Sequence, residues 1–336
     1  MAHGNMSKPI VLVFAGPNGS GKSAIARMIP QYGVYINAGG KMSKDSWGGT
    51  WTEQKLNAFA KYVNAYLTIM NKNRDKYGWK LIYFDAFAGS GKRSSVKPDN
   101  QKMPLFDITV EEEALYQGAA ERVIRIEQRG FDYYYFIEND EASIKDLEEI
   151  LSPINIEKKL NLQFYSGNAN EYLNTLGDTI KNNRNFSSLV LIDPFGMQVN
   201  WDSIKQLKDT RTDLWILIPS GVIINRLLDS NGKLPNIDKL VAFFGLPENE
   251  LREYFYTQKT EYSLFDMDNE IKKKSEPIQR IAELYIRQLK TIFKEVTPKP
   301  LEMRNSRNVP IFHFAFASNN KTALKIASDI IGRERK

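Results

Sequence analysis

The sequence reads Phe84-Asp-Ala-Phe-Ala-Gly-Ser-Gly91 at the point where an apolar run ends in an acidic residue and a glycine-rich turn. A second acidic strand end, Glu138, follows downstream. Glycines after a strand let backbone amides approach a ligand, and a carboxylate at the next strand end can accept both hydroxyl hydrogens of a ribose. This pair of features predicts a pocket for a nucleoside cofactor.

Composition narrows the possible classes of protein. The chain has 336 residues, of which 42% are hydrophobic, and this is enough for a folded domain with a buried core. It has no cysteine and only two histidines, His3 and His313, which excludes disulfides, thiolate zinc sites and multi-histidine metal sites. Any metal would be oxygen-bound, and magnesium would be the expected ion. The net charge of +6 is compatible with a polyanionic partner such as RNA or DNA, although the basic residues are spread along the chain.

The sequence predicts a cytoplasmic protein without a membrane partner. No run approaches the roughly 18 apolar residues that span a bilayer. The first residues, Met1-Ala-His-Gly-Asn5, also lack the apolar core of a secretory signal.

Apolar runs recur through the middle of the chain, with helix-compatible segments between most of them. They predict strands at 80–84, 133–137, 161–165, 189–192 and 214–218. This alternation predicts an α/β fold with a mostly parallel sheet and helices on both faces. Two later runs, 291–296 and 311–317, predict an antiparallel hairpin that closes the carboxyl-terminal edge of the sheet.

Other patterns divide the chain into parts. Thr50 and Glu53 have capping-box spacing and precede a long amphipathic pattern, which predicts a long helix. A last helix is predicted to end at Gly332. Residues 233–280 predict a mostly helical insertion. The domains expected from these patterns are a short fragment and linker at 1–41 and one large domain at 42–336.

Four successive strand ends carry polar groups. They are Asp85 before Gly89 and Gly91, then Glu138, then Asn168, and finally Asp193. In an open parallel sheet the ligand lies beyond the carboxyl ends of the strands, so these groups are expected to converge. A dinucleotide site uses the same features, but its third glycine is replaced by Ser94. The alternative is that these are ordinary polar residues at strand ends.

With these residues the chain resembles the class I S-adenosylmethionine-dependent methyltransferases, and more narrowly the three-Cys-motif partner (TcmP) family. The resemblance extends from Trp47 to the carboxyl terminus. It is carried by Trp51-Thr-Glu-Gln-Lys-Leu56, Tyr83-Phe-Asp-Ala-Phe-Ala-Gly-Ser-Gly91, Phe136-Ile-Glu138, Gly167-Asn-Ala-Asn170 and Ile192-Asp-Pro-Phe-Gly196.

The resemblance implies a class I methyltransferase-like, Rossmann-like fold that binds S-adenosylmethionine. Asp85, Phe87, Gly89 and Gly91 would hold the methionine part, Glu138 the ribose and Asn168 the adenine. Many methyltransferases have aspartate where Asn168 stands. A three-Cys-motif protein would be the partner, in a mobile-element or phage-defence setting. Residues 93–121 contain an inserted loop and helix that would form a lid or a substrate surface.

The turn Asp193-Pro194-Phe195-Gly196 bears on the reaction. It is similar to the Asp-Pro-Pro-aromatic turn of amino-directed methyltransferases, where the carboxylate accepts hydrogens of the target nitrogen and the aromatic ring stacks on the base. Here the aromatic residue comes one place early, as in guanosine-N2 methyltransferases that act on transfer RNA. The resemblance implies that Asp193, Pro194 and Phe195 serve N-methylation of a nucleic-acid or nucleotide base. The alternative is a tight turn with a buried Phe195.

A phosphate-loop signature, Gly16-Pro-Asn-Gly-Ser-Gly-Lys-Ser23, lies near the amino terminus. Gly16, Gly19 and Gly21 permit a backbone nest for phosphate, Lys22 would supply positive charge, and Ser23 would bind magnesium. The segment resembles the opening of zeta-toxin-type phosphotransferases, which implies ATP or GTP as ligand, but that pattern stops after a short stretch. We interpret it as a truncated fusion remnant.

Two other functions stay open at this point. One is a nucleotide-dependent phosphotransferase that uses Lys22 and Ser23. The other is a non-catalytic binding module with the methyltransferase fold that works only with its partner.

Overall fold

The computed structural model describes residues 50–91, 118–221, 223, 232, 234, 236–262, 267–305 and 308–335. Side chains are described within these ranges except at 50–52 and 258–272. The predicted phosphate-binding residues Gly16, Gly19, Gly21, Lys22 and Ser23 lie outside the described residues. The phosphate loop, the fragment at 1–41 and most of the insertion at 93–121 therefore stay predictions.

The centre of the fold is a mostly parallel sheet, to which the described residues contribute eight strands. The strand order is β3-β2-β1-β4-β5-β10-β8, and β9 also pairs with β10. Neighbours among β1 to β5 run parallel, whereas β10 is antiparallel to β5, β8 and β9. The strands are β1 Lys80–Asp85, β2 Tyr133–Glu138, β3 Leu162–Ser166, β4 Phe186–Ile192, β5 Thr212–Ile218, β8 Glu295–Val296, β9 Leu301–Arg304 and β10 Pro310–Ser318.

Helices cover both faces of this sheet. One face is covered by α1 Thr50–Tyr77, α2 Gly118–Ile124, α3 Glu141–Lys158 and α9 Lys321–Glu334. The other is covered by α4 Ala169–Asn182, α5 Trp201–Lys205, α6 Ile237–Phe244, α7 Glu248–Phe255 and α8 Pro277–Leu289. Among the described helices, none has the length and apolar character needed to cross a membrane.

The strand order gives the fold class. The parallel part, 3-2-1-4-5, is the order of a doubly wound Rossmann-type sheet, whose order reverses between β1 and β4. An antiparallel strand, β10, follows β5. The fold is therefore α/β and class I methyltransferase-like, as predicted. The reversal between β1 and β4 is the topological switch point, where doubly wound sheets bind their ligands.

Helix α1 follows the predicted amphipathic pattern. Leu56, Phe59 and Val63 lie on its buried stripe and pack in the core on that face of the sheet. Glu53, predicted as the acid of a capping box, accepts hydrogen bonds from the Arg122 guanidinium at 2.8 and 2.9 Å. The ion pair joins α1 to α2, so Glu53 has a tertiary partner that sequence spacing does not reveal.

Two predictions for the second half of the chain need correction. The last helix continues through Gly332 to Glu334, because a glycine in a helix interior costs only about 1 kcal/mol relative to alanine. The insertion at 233–280 is not mostly helical, since α7 leads directly into an antiparallel hairpin of β6 Tyr256–Tyr262 and β7 Met267–Lys273. Tyr and Thr residues in β6 favour a strand over a helix.

The predicted antiparallel hairpin is present but is arranged differently. Strand β10 lies between β5 and β8, so it is internal and not at the sheet edge. Only Glu295–Val296 of the predicted run at 291–296 form a strand. The loop predicted between the two runs contains a further strand, β9, which pairs with the first half of β10.

Candidate functional site

The candidate site is a cavity of about 340 Å³ at the carboxyl ends of the parallel strands. Parallel pairing brings these ends together, because Asp85 lies opposite Leu191 on β4 and Glu138 lies opposite Ser166 on β3. The volume falls at the lower end of the range typical of small-molecule sites. The cavity wall is formed by 86–90, 138–140, Ser143, Gly167, Ala169, Phe195 and Gln198.

Glu138 is fixed in the cavity wall by two backbone donors. Its Oε2 accepts the Gly89 N–H at 3.1 Å, and its Oε1 accepts the Asp140 N–H at 3.1 Å. The Gly167 N–H bonds to the Glu138 carbonyl at 3.0 Å, which ties the third strand end to the second. The ends of β1, β2 and β3 are thus joined through one residue, and its carboxylate orientation is set before any ligand binds.

The two glycines of the turn after β1 meet different structural requirements. Both have left-handed backbones, with φ of 66° at Gly89 and 65° at Gly91. Gly89 lies in the cavity wall, where its N–H bonds to Glu138. A Cβ at Gly91 would lie 2.9 Å from Leu147 Cδ1, so this residue lets the turn pack closely on α3. The structure therefore places Gly89 against the cavity and Gly91 against a helix.

Asp85 lies beneath the turn and not in the cavity wall. Only 2% of its surface is exposed, and its carboxylate accepts the Tyr83 O–H at 3.0 Å and the Phe87 N–H at 3.3 Å. Burial raises the pKa of Asp85 to about 7, and the nearby charge of Asp193 acts in the same direction. Asp85 thus holds Phe87, which does line the cavity, while its own contact with a cofactor stays a prediction.

Asp193 is also buried, and it forms an ion pair with a lysine that the sequence did not single out. The Lys55 Nζ donates to Asp193 Oδ2 at 2.5 Å, and the two side chains are 2% and 3% exposed. Burial lowers the pKa of Lys55, and the charges of Asp193 and Asp85 oppose this effect. In the part of the chain that the structure describes, Asp193 Oδ1 has no hydrogen-bond partner although it is buried.

The rest of the turn after β4 divides into a buried and an exposed part. Pro194 is buried, whereas Phe195 is 43% exposed and lines the cavity. The alternative of a tight turn with a buried Phe195 therefore does not describe this turn. A Cβ at Gly196 would meet no atom within 4 Å.

Asn168 lies next to the cavity but is not in its wall. Its Oδ1 caps α4 by accepting the Asn170 N–H at 2.9 Å, and the residue lines a neighbouring groove. Asn170 in turn donates to the Gln198 carbonyl at 2.9 Å and accepts the Asn200 N–H at 2.8 Å. These bonds connect the start of α4 to the loop that carries Phe195. The adenine contact of Asn168 stays a prediction.

Several residues of the site were not predicted. Asp140 lines the cavity and caps α3 by accepting the Ser143 N–H at 2.8 Å. An aspartate directly before a helix is a preferred N-cap residue, so the sequence could have indicated this role. Lys55 also has a signal in the sequence. It lies four residues before Phe59 and seven before Tyr62, so it falls on the buried stripe of α1, where an unpaired charge would be costly.

A larger cleft, about 840 Å³, contains none of the predicted site residues. Two of its arginines already have partners, since Arg304 pairs with Glu302 and Arg335 donates to the carbonyls of Lys299 and Pro300. His313 at its margin is buried and bonds through Nδ1 to the Ser220 hydroxyl at 2.7 Å. Burial lowers the pKa of His313 to about 4, so the ring is neutral near pH 7.

Comparisons with known proteins give little beyond this geometry. No family model matches the chain, and no curated protein matches it. A crystal structure of protein LPL1258 from Legionella pneumophila, described with the family-model name DUF519, has a TM-score of 0.44 and 11% identity over 86% of this chain and 94% of that one. A putative caffeoyl-CoA O-methyltransferase from Staphylococcus aureus has a TM-score of 0.25 and 11% identity over 62% and 83%. With scores this low, the fold class rests on the strand order.

Proposed function

We propose that this protein is an S-adenosylmethionine-dependent methyltransferase that N-methylates a base of a nucleic acid or nucleotide. The observation that carries the proposal is the Glu138 carboxylate, fixed in the wall of the cavity by Gly89 and Asp140. The cavity lies at the topological switch point of a class I methyltransferase-like sheet, where ligands of such folds bind.

The residues present fit the proposed cofactor. A carboxylate offers about four lone-pair positions, and backbone donors use one on each oxygen of Glu138. Each oxygen can therefore accept one further hydrogen bond, as the two vicinal hydroxyls of a ribose require. S-adenosylmethionine supplies an electrophilic methyl group when it is bound. The left-handed turn at Gly89 brings backbone close to the same cavity.

The proposed acceptor follows from the turn after β4. Phe195 is a large apolar side chain that remains 43% exposed at the cavity, and base–aromatic stacking is worth about 1–3 kcal/mol in nucleic-acid-binding proteins. Asp193, two residues earlier, has a carboxylate oxygen able to accept an N–H group. Asp193 is buried outside the cavity wall, so an amino-bearing base stacked on Phe195 would have to reach its Oδ1 from the cavity side. By the family resemblance, a three-Cys-motif protein is proposed as partner.

Calorimetric titration of the full chain with S-adenosylmethionine tests the cofactor part of the proposal. We expect the parent to bind and Glu138→Gln to bind about 10- to 100-fold more weakly, because hydrogen bonds to a charged group contribute about 1.5–3 kcal/mol. The amide also cannot accept at both positions that now face Gly89 and Asp140. Glu148→Gln, the same change at an exposed position of α3, is the control.

Transfer of a labelled methyl group to an unmodified RNA transcript and to DNA of the same sequence tests the acceptor class. Label in a base amino group of either polymer supports the proposal. If the parent fails to bind S-adenosylmethionine, or if Glu138→Gln binds it as the parent does, the cofactor assignment is wrong.

A further inference from the structure

We propose that Lys55 is a positioning residue that locks the Asp193 side chain by occupying Oδ2 and so leaves Oδ1 to accept the N–H group of the methyl acceptor. The inference deepens the proposed function and rests on it. It starts from an ion pair between residues 138 positions apart in the chain, the Lys55 Nζ and Asp193 Oδ2, at 2.5 Å.

The pair is a poor candidate for a purely structural contact. Burying two charges costs several kcal/mol per ion, and this cost is recovered only if the remaining lone pairs also find donors. Asp193 Oδ1 has no such donor within the described ranges, although the residue is only 3% exposed. A buried oxygen without a donor requires one, and in the proposed function the bound methyl acceptor would supply it.

A second carboxylate of the cluster, Asp85, has different hydrogen-bond donors from Asp193. Asp85 is buried nearby, but its hydrogen bonds come from neutral donors, the Tyr83 hydroxyl and the Phe87 N–H. Asp193, in contrast, accepts a hydrogen bond from the charged Lys55 ammonium. Two buried acids in one cluster therefore have different partners, and the acid paired with the lysine belongs to the turn that carries Phe195.

The other carboxylate oxygen of Asp193, Oδ1, has a defined task in the proposed transfer. The acceptor nitrogen forms a bond to the methyl carbon with its lone pair, while the carbon–sulfur bond breaks and its electron pair stays on sulfur. The nitrogen then carries one proton in excess, which it releases to water. A hydrogen bond from its N–H to Asp193 Oδ1 orients the lone pair before transfer and is strengthened as positive charge develops on nitrogen.

Two Lys55 variants separate positioning from a structural role, measured with labelled S-adenosylmethionine and the RNA or DNA that the parent methylates better. In Lys55→Met the loss of the lock should lower kcat about 100-fold, with KM for the polymer and affinity for S-adenosylmethionine near parental values. In Lys55→Arg the charge is kept, but the guanidinium fork takes both carboxylate oxygens. We expect the unfolding midpoint of Lys55→Arg to stay near the parent while kcat falls about 10-fold or more.

The double variant Lys55→Met/Asp193→Asn keeps the test valid if Lys55→Met folds poorly. It removes both charges, so its unfolding midpoint should recover, whereas its kcat should equal that of Asp193→Asn alone because Lys55 acts through Asp193. Lys61→Met, on the exposed side of the same helix, is the control and should keep parental kcat.

The outcomes distinguish this inference from the proposed function. A parent that neither binds S-adenosylmethionine nor transfers a methyl group overturns both. An active parent with a fully active Lys55→Arg overturns the positioning role alone. The same holds if kcat of the double variant is far below that of Asp193→Asn.

Discussion

Replacing Asp85 by asparagine should change how the stability of this protein depends on pH. Burial first, and the charge of Asp193 second, raise the pKa of Asp85 from its ordinary 3.8 to about 7. Between these two values the unfolded chain has lost this proton and the folded chain keeps it, so the parent loses stability as pH rises. At about 1.4 kcal/mol per pH unit the loss is at most ~4 kcal/mol, and coupling to Lys55 and Asp193 reduces it.

Asparagine has no charge to bury, so Asp85→Asn should lack this loss. Urea unfolding should be measured at intervals from pH 4.5 to 8. Over this range the free energy of unfolding of the variant, minus that of the parent, should rise by ~2–4 kcal/mol. The absolute value can start lower at acid pH, because one acceptor for Tyr83 or Phe87 is lost. Asp75→Asn is the control, since the hydrogen bond from Arg129 lowers the pKa of this exposed acid. If the difference in the free energy of unfolding between parent and Asp85→Asn does not change with pH, the reasoning is refuted.

The other predictions concern the exposed ring of the site and two helical glycines. Phe195→Leu should lower kcat/KM for the polymer about 5- to 100-fold in methyl-transfer kinetics, and calorimetry should show unchanged affinity for S-adenosylmethionine. Equal losses in kcat/KM and in S-adenosylmethionine affinity would contradict base stacking on Phe195. Gly177→Ala should destabilise by about 1–3 kcal/mol, because its Cβ would lie 2.6 Å from Gln206 Cβ and 2.7 Å from the Gln206 carbonyl oxygen. In Gly332→Ala the added Cβ would meet no atom within 4 Å, so this variant should be more stable than the parent by about 0.5–1 kcal/mol. Urea unfolding of the two glycine variants should show opposite changes in the free energy of unfolding.

The central strands of the sheet could be predicted from the sequence because they are buried on both faces. Strand β1 is exposed only at Lys80 and buried from Leu81 to Asp85, so it reads as one continuous apolar run bounded by a turn. Strand β9 was missed for the opposite reason. It is four residues long and contains Glu302 and Arg304, so its apolar signal is weak, and only pairing with β10 reveals it.

The site could be predicted only in part, because backbone geometry and through-space pairing decide the rest. The neighbourhood of Gly89 and Glu138 follows from strand order alone, and the structure places them in one hydrogen bond. Asn168 precedes a helix, and there its side chain bonds to the local backbone, which competes with a role in ligand binding. Lys55 and Asp193 are 138 residues apart, so no local pattern could pair them.

In the proposed function, the turn after β4 would separate two tasks that a base methyltransferase must combine. Asp193 is held in a water-poor cluster, where a hydrogen bond to an acceptor nitrogen is stronger than it would be in water. Phe195, two residues later, is on the cavity side, where a planar ligand can reach it. Pro194 lies between them and is buried, and its fixed φ restricts how the two side chains can move relative to each other. In the proposed reaction, the chemistry of this turn would therefore depend on the direction that Lys55 imposes on Asp193 as much as on the residues of the turn itself.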